Sequence, residues 1–106
     1  MRSVVVYFRE TAAGLLAKFR DGTYEFRYTK DYCANAAMPS IAFRLPKSRR
    51  VHRSRSLFPF FYGLLAEGVQ KRLQCRSLRI DEEDHFTRLC ETCRSGVIGA
   101  VWVKPR

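Results

Sequence analysis

The chain is short of acid. Ten Asp and Glu stand against twenty Lys and Arg in 106 residues, a formal net charge of +10. Such an excess favours encounter with anionic partners, either nucleic acid or an acidic protein surface, and composition does not choose between them. Long apolar runs are also missing. None approaches the ~20 residues a membrane-spanning helix needs, and Met1–Val6 meets Arg9 and Glu10 too early to be a signal-peptide core. The expectation is a soluble cytoplasmic protein, with no membrane association and with its four cysteines reduced.

Catalytic apparatus is absent too. There is no glycine-rich phosphate loop, no strand-borne kinase lysine and no Asp-Phe-Gly or catalytic-loop Asp/Asn set. No Ser or Cys sits at a nucleophile elbow, and no carboxylate pattern orients His52 or His85. The chain is therefore expected to be no enzyme and to need no cofactor.

What is present suffices for one domain over residues 1–106. Hydrophobic residues make up 46% and aromatics 13%, as in ordinary globular proteins. Val4-Val5-Val6-Tyr7-Phe8 reads as a central strand. Gly14 opens a second strand, Asp21-Gly22 marks a tight turn, and Thr23–Tyr28 returns as a third. Taking Asp21 and Gly22 as the two loop residues pairs Phe19 with Tyr24, Ala17 with Phe26 and Leu15 with Tyr28 on one face. Lys18 then lies opposite Glu25, and Leu16 opposite Arg27, on the other.

A helical turn is expected around Asp31–Ala34, and a fourth strand over Ser40–Leu45 before Pro46. Arg44 to Arg55 holds six Arg or Lys, His52 and no acid, which reads as a solvated loop because like charges repel along a regular element. Pro59 starts a helix with Phe60, Phe61, Leu64 and Leu65 in one stripe, closed by Gly68. Val69–Leu78 adds a turn or two. The last helix is capped by Asp81, has Glu82, Glu83 and Asp84 in its first turn, carries the stripe Phe86, Leu89, Cys90 and Cys93, and stops at Gly96. Val97–Val103 closes the sheet. The fold class is α+β: a mixed, largely antiparallel sheet of about five strands with short helices packed on it.

Cys90-x-x-Cys93 has no second paired motif among Cys33, Cys75, His52 and His85, so it reads as core packing and not as a metal site. Two segments are left for binding. Phe58 and Tyr62, with Glu67, Gly68, Val69 and Gln70, lie off the apolar stripe, where exposed aromatics serve as interface anchors. Arg49, Arg50, Arg53 and Arg55 can grip phosphate or carboxylate, although no aromatic interleaving or charged helix accompanies them.

An ordered set of pieces resembles the N-terminal subdomain of the HipA family of serine/threonine kinase toxins. The set comprises a first strand, a hairpin ending at Phe26-Arg27-Tyr28, Asp31-Tyr32, Ile41–Pro46, Phe60–Gly68, Ile80-Asp81 with Asp84 and Phe86, and Gly99-Ala100-Val101. In that family a kinase core continues beyond this subdomain. The length here fits the free-standing form, a HipS-like antitoxin of a HipBST-type system. Two features depart from the pattern: Ala66 replaces a common proline, and Arg44–Arg55 is strongly basic.

The resemblance implies an antitoxin that binds and inhibits a HipA-like (HipT-type) kinase toxin, with Leu57–Gln70 near the contact. A helix-turn-helix DNA-binding repressor is a further partner it allows in the same complex. The alternatives are a small nucleic-acid-binding module and a non-inhibitory subunit that completes a split kinase.

Overall fold

A computed structural model describes residues 1–93 and 100–106. The β-branched run at the N-terminus forms β1 (Arg2–Phe8), which doubles back through Arg9 and Glu10 into β2 (Thr11–Lys18) and on to β3 (Tyr24–Tyr28). After α1 (Lys30–Ala34) and a long irregular stretch come β4 (Val51–Ser54), α2 (Pro59–Tyr62), α3 (Gly68–Leu78), α4 (His85–Thr92) and β5 (Val101–Pro105). The sheet runs β4-β3-β2-β1-β5, and neighbouring strands are antiparallel at each junction. Five strands with short helices make the α+β class expected of the sequence. Gly96, and Val97, Ile98 and Gly99 of the expected closing strand, lie outside the described residues.

The β2–β3 hairpin forms where the Asp-Gly pair puts it, but one residue out of the simple register. Lys18 pairs with Tyr24, Leu16 with Phe26 and Gly14 with Tyr28. The loop has three residues, Arg20, Asp21 and Gly22: the Phe19 amide donates to the Thr23 carbonyl, and Gly22 donates to the Phe19 carbonyl. Gly22 has φ 88°, the left-handed residue that such loops require. The Asp21 carboxylate fixes the turn by accepting from both the amide and the hydroxyl of Thr23. Leu16, and not Leu15, therefore faces the core.

One row of that core crosses four strands: Val4, Leu16, Phe26 and His52 lie side by side and all are buried. Phe61, Phe86 and Leu89 from the helices join this cluster. Gly14 sits where β2 bulges against β1, and a Cβ there would stand 2.3 Å from the Arg27 carbonyl oxygen. The opposite face carries partly exposed Val5, Tyr7, Leu15 and Trp102, with Tyr7 and Trp102 stacked at 4.3 Å.

The fourth strand lies elsewhere than alternation suggested. Ser40–Leu45 forms only an isolated bridge between Ala42 and Leu45, and its apolar residues Ile41 and Leu45 are two plugs in the core. The strand is Val51–Ser54, inside the basic segment read as a loop. Repulsion along that segment is relieved from outside it: Arg53 pairs across the sheet with Glu25, whose carboxylate is 3.2 Å from the Arg53 Nε. His52 turns inward and contacts the Pro46 carbonyl at 3.1 Å.

Candidate functional site

The segment from Leu57 to Gln70 contains two helices in place of one. Phe58 is the N-cap residue of α2, with ψ 137°, and Pro59 occupies the first turn. This entry angle turns Phe58 inward against Phe61 at 6.2 Å, so Phe58 is 7% exposed and belongs to the core, against the expectation that it faces a partner. Phe61 and Leu65 are buried, and Phe60 and Leu64 are packed partly beneath them.

α2 ends at Tyr62 and is capped by the Gly63 backbone, which donates to the Pro59 carbonyl. Gly68 does not close that helix. It opens α3 with φ 59°.

α3 is the exposed element of the domain. Its Gln, Lys, Arg and Leu residues favour helix, and left-handed Arg79 caps it while Ile80 donates back to the Cys75 carbonyl at 2.8 Å. Of its eleven residues only Cys75 is buried. Val69 and Leu73 are 61% and 59% exposed, and at i and i+4 they form one ridge. Arg72 and Arg76 form a parallel basic ridge beside it. Tyr62, 43% exposed, joins Glu67, Gly68 and Lys71 around a shallow concavity at the start of α3. Five of the six residues expected at a contact, Tyr62, Glu67, Gly68, Val69 and Gln70, are exposed, and Tyr62, Glu67 and Gly68 line that concavity together.

This surface is held from below by α4. Its N-cap is Asp84, not Asp81: the Asp84 carboxylate accepts from the Thr87 amide at 3.2 Å and the Thr87 hydroxyl at 2.7 Å. Asp81 instead closes its own turn by accepting from the Glu83 amide. Burial pushes the Asp84 carboxyl up, but the Thr87 bonds, with Arg2 and Lys18 nearby, hold it below its ordinary range.

The stripe Phe86, Leu89, Cys90 and Cys93 is buried as its spacing predicted, and burial raises the Cys93 thiol. Arg88, which no motif or spacing singles out, is buried as well. Its guanidinium donates to the Ala66 carbonyl at 2.8 Å and the Glu82 carbonyl at 3.4 Å, and stands 3.1 Å from His85 Nδ1. Arg88 thereby ties the chain just ahead of Glu67 to α4. The His85 ring in turn meets Tyr62 edge-on at 5.0 Å.

Two of the four arginines, Arg53 and Arg55, line one concavity with Phe19, Asp21, Thr23 and Tyr24, and Arg49 and Arg50 do not line it. Arg50 donates to the Tyr28 carbonyl, Arg53 is engaged by Glu25, and Arg49 and Arg55 are exposed. Among the described residues no cluster of three His, Cys, Asp or Glu side chains is placed to hold a metal ion, and no helix is long and apolar enough to cross a membrane. The arrangement offers a surface for binding.

Comparison with known proteins gives this surface a context. The HipA N-terminal domain family matches residues 4–104. An uncharacterized protein of Haemophilus influenzae is 31% identical over 104 residues, spanning 98% of this chain and 92% of its own. A solved structure described as the N-terminal domain of HipA toxin superposes with a TM-score of 0.74 at 27% identity, covering 100% of this chain and 93% of that one.

Proposed function

The chain belongs to the HipA N-terminal domain family, and from that premise we propose that it is a non-catalytic, cytoplasmic antitoxin that docks on a HipA-like serine/threonine kinase and holds it inactive. The observation that carries this reading is α3: a helix closed at its C-terminus by left-handed Arg79 that buries one side chain and leaves the Val69–Leu73 ridge largely to water. A helix whose apolar ridge stays mostly exposed is available to a partner's groove. Tyr62 at its foot supplies an aromatic anchor, and Arg88 fixes the approach to the helix, so that little ordering remains to be done on binding.

The basic segment supports a nucleic-acid role less well, because two of its four candidate arginines are already engaged within the fold.

The test is the activity of the purified cognate kinase with this protein in excess. Autophosphorylation and substrate phosphorylation fall, and Val69→Asp restores them without changing the circular dichroism of the antitoxin. Unchanged kinase rates would sink the proposal. Rates that rise on mixing would mean a subunit completing a split kinase instead.

A further inference from the structure

Among the described residues, the most exposed large apolar side chain is neither on α3 nor beside it. Phe43 stands at the tip of the Ala42–Leu45 turn, 98% exposed. A phenylalanine left in water usually marks a mobile loop, but this turn is fastened at both feet. The Ile41 amide donates to the Tyr28 hydroxyl at 3.0 Å, and that hydroxyl donates to the Leu45 carbonyl. Ile41 and Leu45 are themselves plugged into the core, Leu45 closes the turn onto the Ala42 carbonyl at 3.1 Å, and Ser40 Oγ accepts from the Lys47 amide at 2.9 Å. One buried phenol thus pins both sides of a turn whose tip side chain is left in water.

Position and charge say what covers it. Tyr28, which holds the tip, packs edge-on against Phe26 at 4.8 Å, and Phe26 meets Phe61 of α2 at 5.7 Å. The tip and the Tyr62 surface are therefore mounted on adjacent rings of β3, over the same face of the sheet. From Tyr32 to Ala66 the sequence contains no Asp or Glu, and Arg44 next to Phe43 at the tip is exposed.

We infer that Phe43 and Arg44 form a second, preorganised anchor that enters an apolar pocket rimmed by carboxylates on the partner kinase; this rests on the docking role proposed above. A rigid aromatic knob loses little conformational freedom on insertion, which is what makes such residues dominate binding. Arg44 meets the rim carboxylates through its planar fork. A single-stranded nucleic acid fits less well, since it requires successive stacking platforms and the tip offers one ring.

The experiment measures binding of the purified cognate kinase to the wild-type chain, to Phe43→Ala and to Arg44→Glu by calorimetry, with thermal unfolding run in parallel. Phe43→Ala weakens binding at least about tenfold and leaves the unfolding midpoint unchanged, because the side chain it removes is left in water. Arg44→Glu weakens binding further at low salt than at high salt.

If the wild-type chain binds and Phe43→Ala binds equally well, the second anchor is overturned while the docking role stands. No binding by the wild-type chain overturns both. Loss of binding to a labelled single-stranded 20-mer by Phe43→Ala, with kinase binding intact, assigns the tip to nucleic acid and overturns the inference.

Discussion

α3 and α4 are neighbours in sequence and opposites in use. α4, eight residues long, buries Phe86, Arg88, Leu89 and Cys90; α3, eleven residues long, buries Cys75 alone. The shorter helix is built into the domain: a side-chain cap starts it, a continuous apolar stripe seats it, and Cys93 just beyond it accepts from the Val103 amide of β5 at 2.8 Å. The longer helix has no side-chain N-cap and is closed at its C-terminus by the backbone of Arg79 and Ile80. Helices in proteins owe most of their stability to packing. A long one that dispenses with packing presents its surface instead of burying it.

The sharpest way to break this contrast is to truncate one leucine in each helix. Leu89→Ala in α4 should cost about 2–5 kcal/mol in urea unfolding, as buried leucines do, whereas Leu73→Ala in α3 should stay within about 0.5 kcal/mol. Equal losses would mean that α3 is part of the core after all.

A smaller effect comes from Gly68→Ala. The open space around this glycine rules out a clash, so the cost is the left-handed backbone alone, about 1–2 kcal/mol for a side chain at that φ. Because α3 is poorly anchored, the loss should appear as faster amide exchange confined to its first turn, and spread of that exchange into α4 would refute the separation.

The smallest belongs to α4's cap. Asp84→Ala should cost about 1 kcal/mol at neutral pH. The folded-state pKa of Asp84 is depressed, so its contribution is complete above the unfolded value of about 3.9 and is lost as pH falls through the folded value. The stability gap between wild type and variant should therefore be constant from pH 8 to pH 6 and close below about pH 4. A gap that persists in acid would show that Thr87 is held by something other than the carboxylate.

Much of this architecture was legible residue by residue. The Asp-Gly turn announced the hairpin, and the spacing of Phe86, Leu89, Cys90 and Cys93 announced the inward face of α4. The register differs by one residue because a two-residue and a three-residue loop share the same Asp-Gly signature, and the pairing of Phe19 with Thr23 distinguishes them.

β4 was hidden because the acid that neutralises it, Glu25, lies on another strand and is invisible to a reading along the segment. Phe58 was misplaced because the turn into α2, not the helical stripe, decides where it points. Leu73 could have been found, since it follows Val69 by one helical turn. Arg88 could not: nothing local marks an arginine for burial when its shortest bond goes to a carbonyl 22 positions away, at Ala66.

The stacked pair on the bare face of the sheet has a kinetic consequence. Trp102, the only tryptophan, lies on Tyr7 and donates through Nε1 to the Arg9 carbonyl, 93 positions away in the chain. The β1–β2–β3 meander can form from local contacts, but β5 must close a loop of nearly the whole sequence before it adds anything, and such closures are slow. Emission from this one indole therefore reports the closure itself, separating the moment the sheet gains its last strand from the earlier collapse of the hairpins.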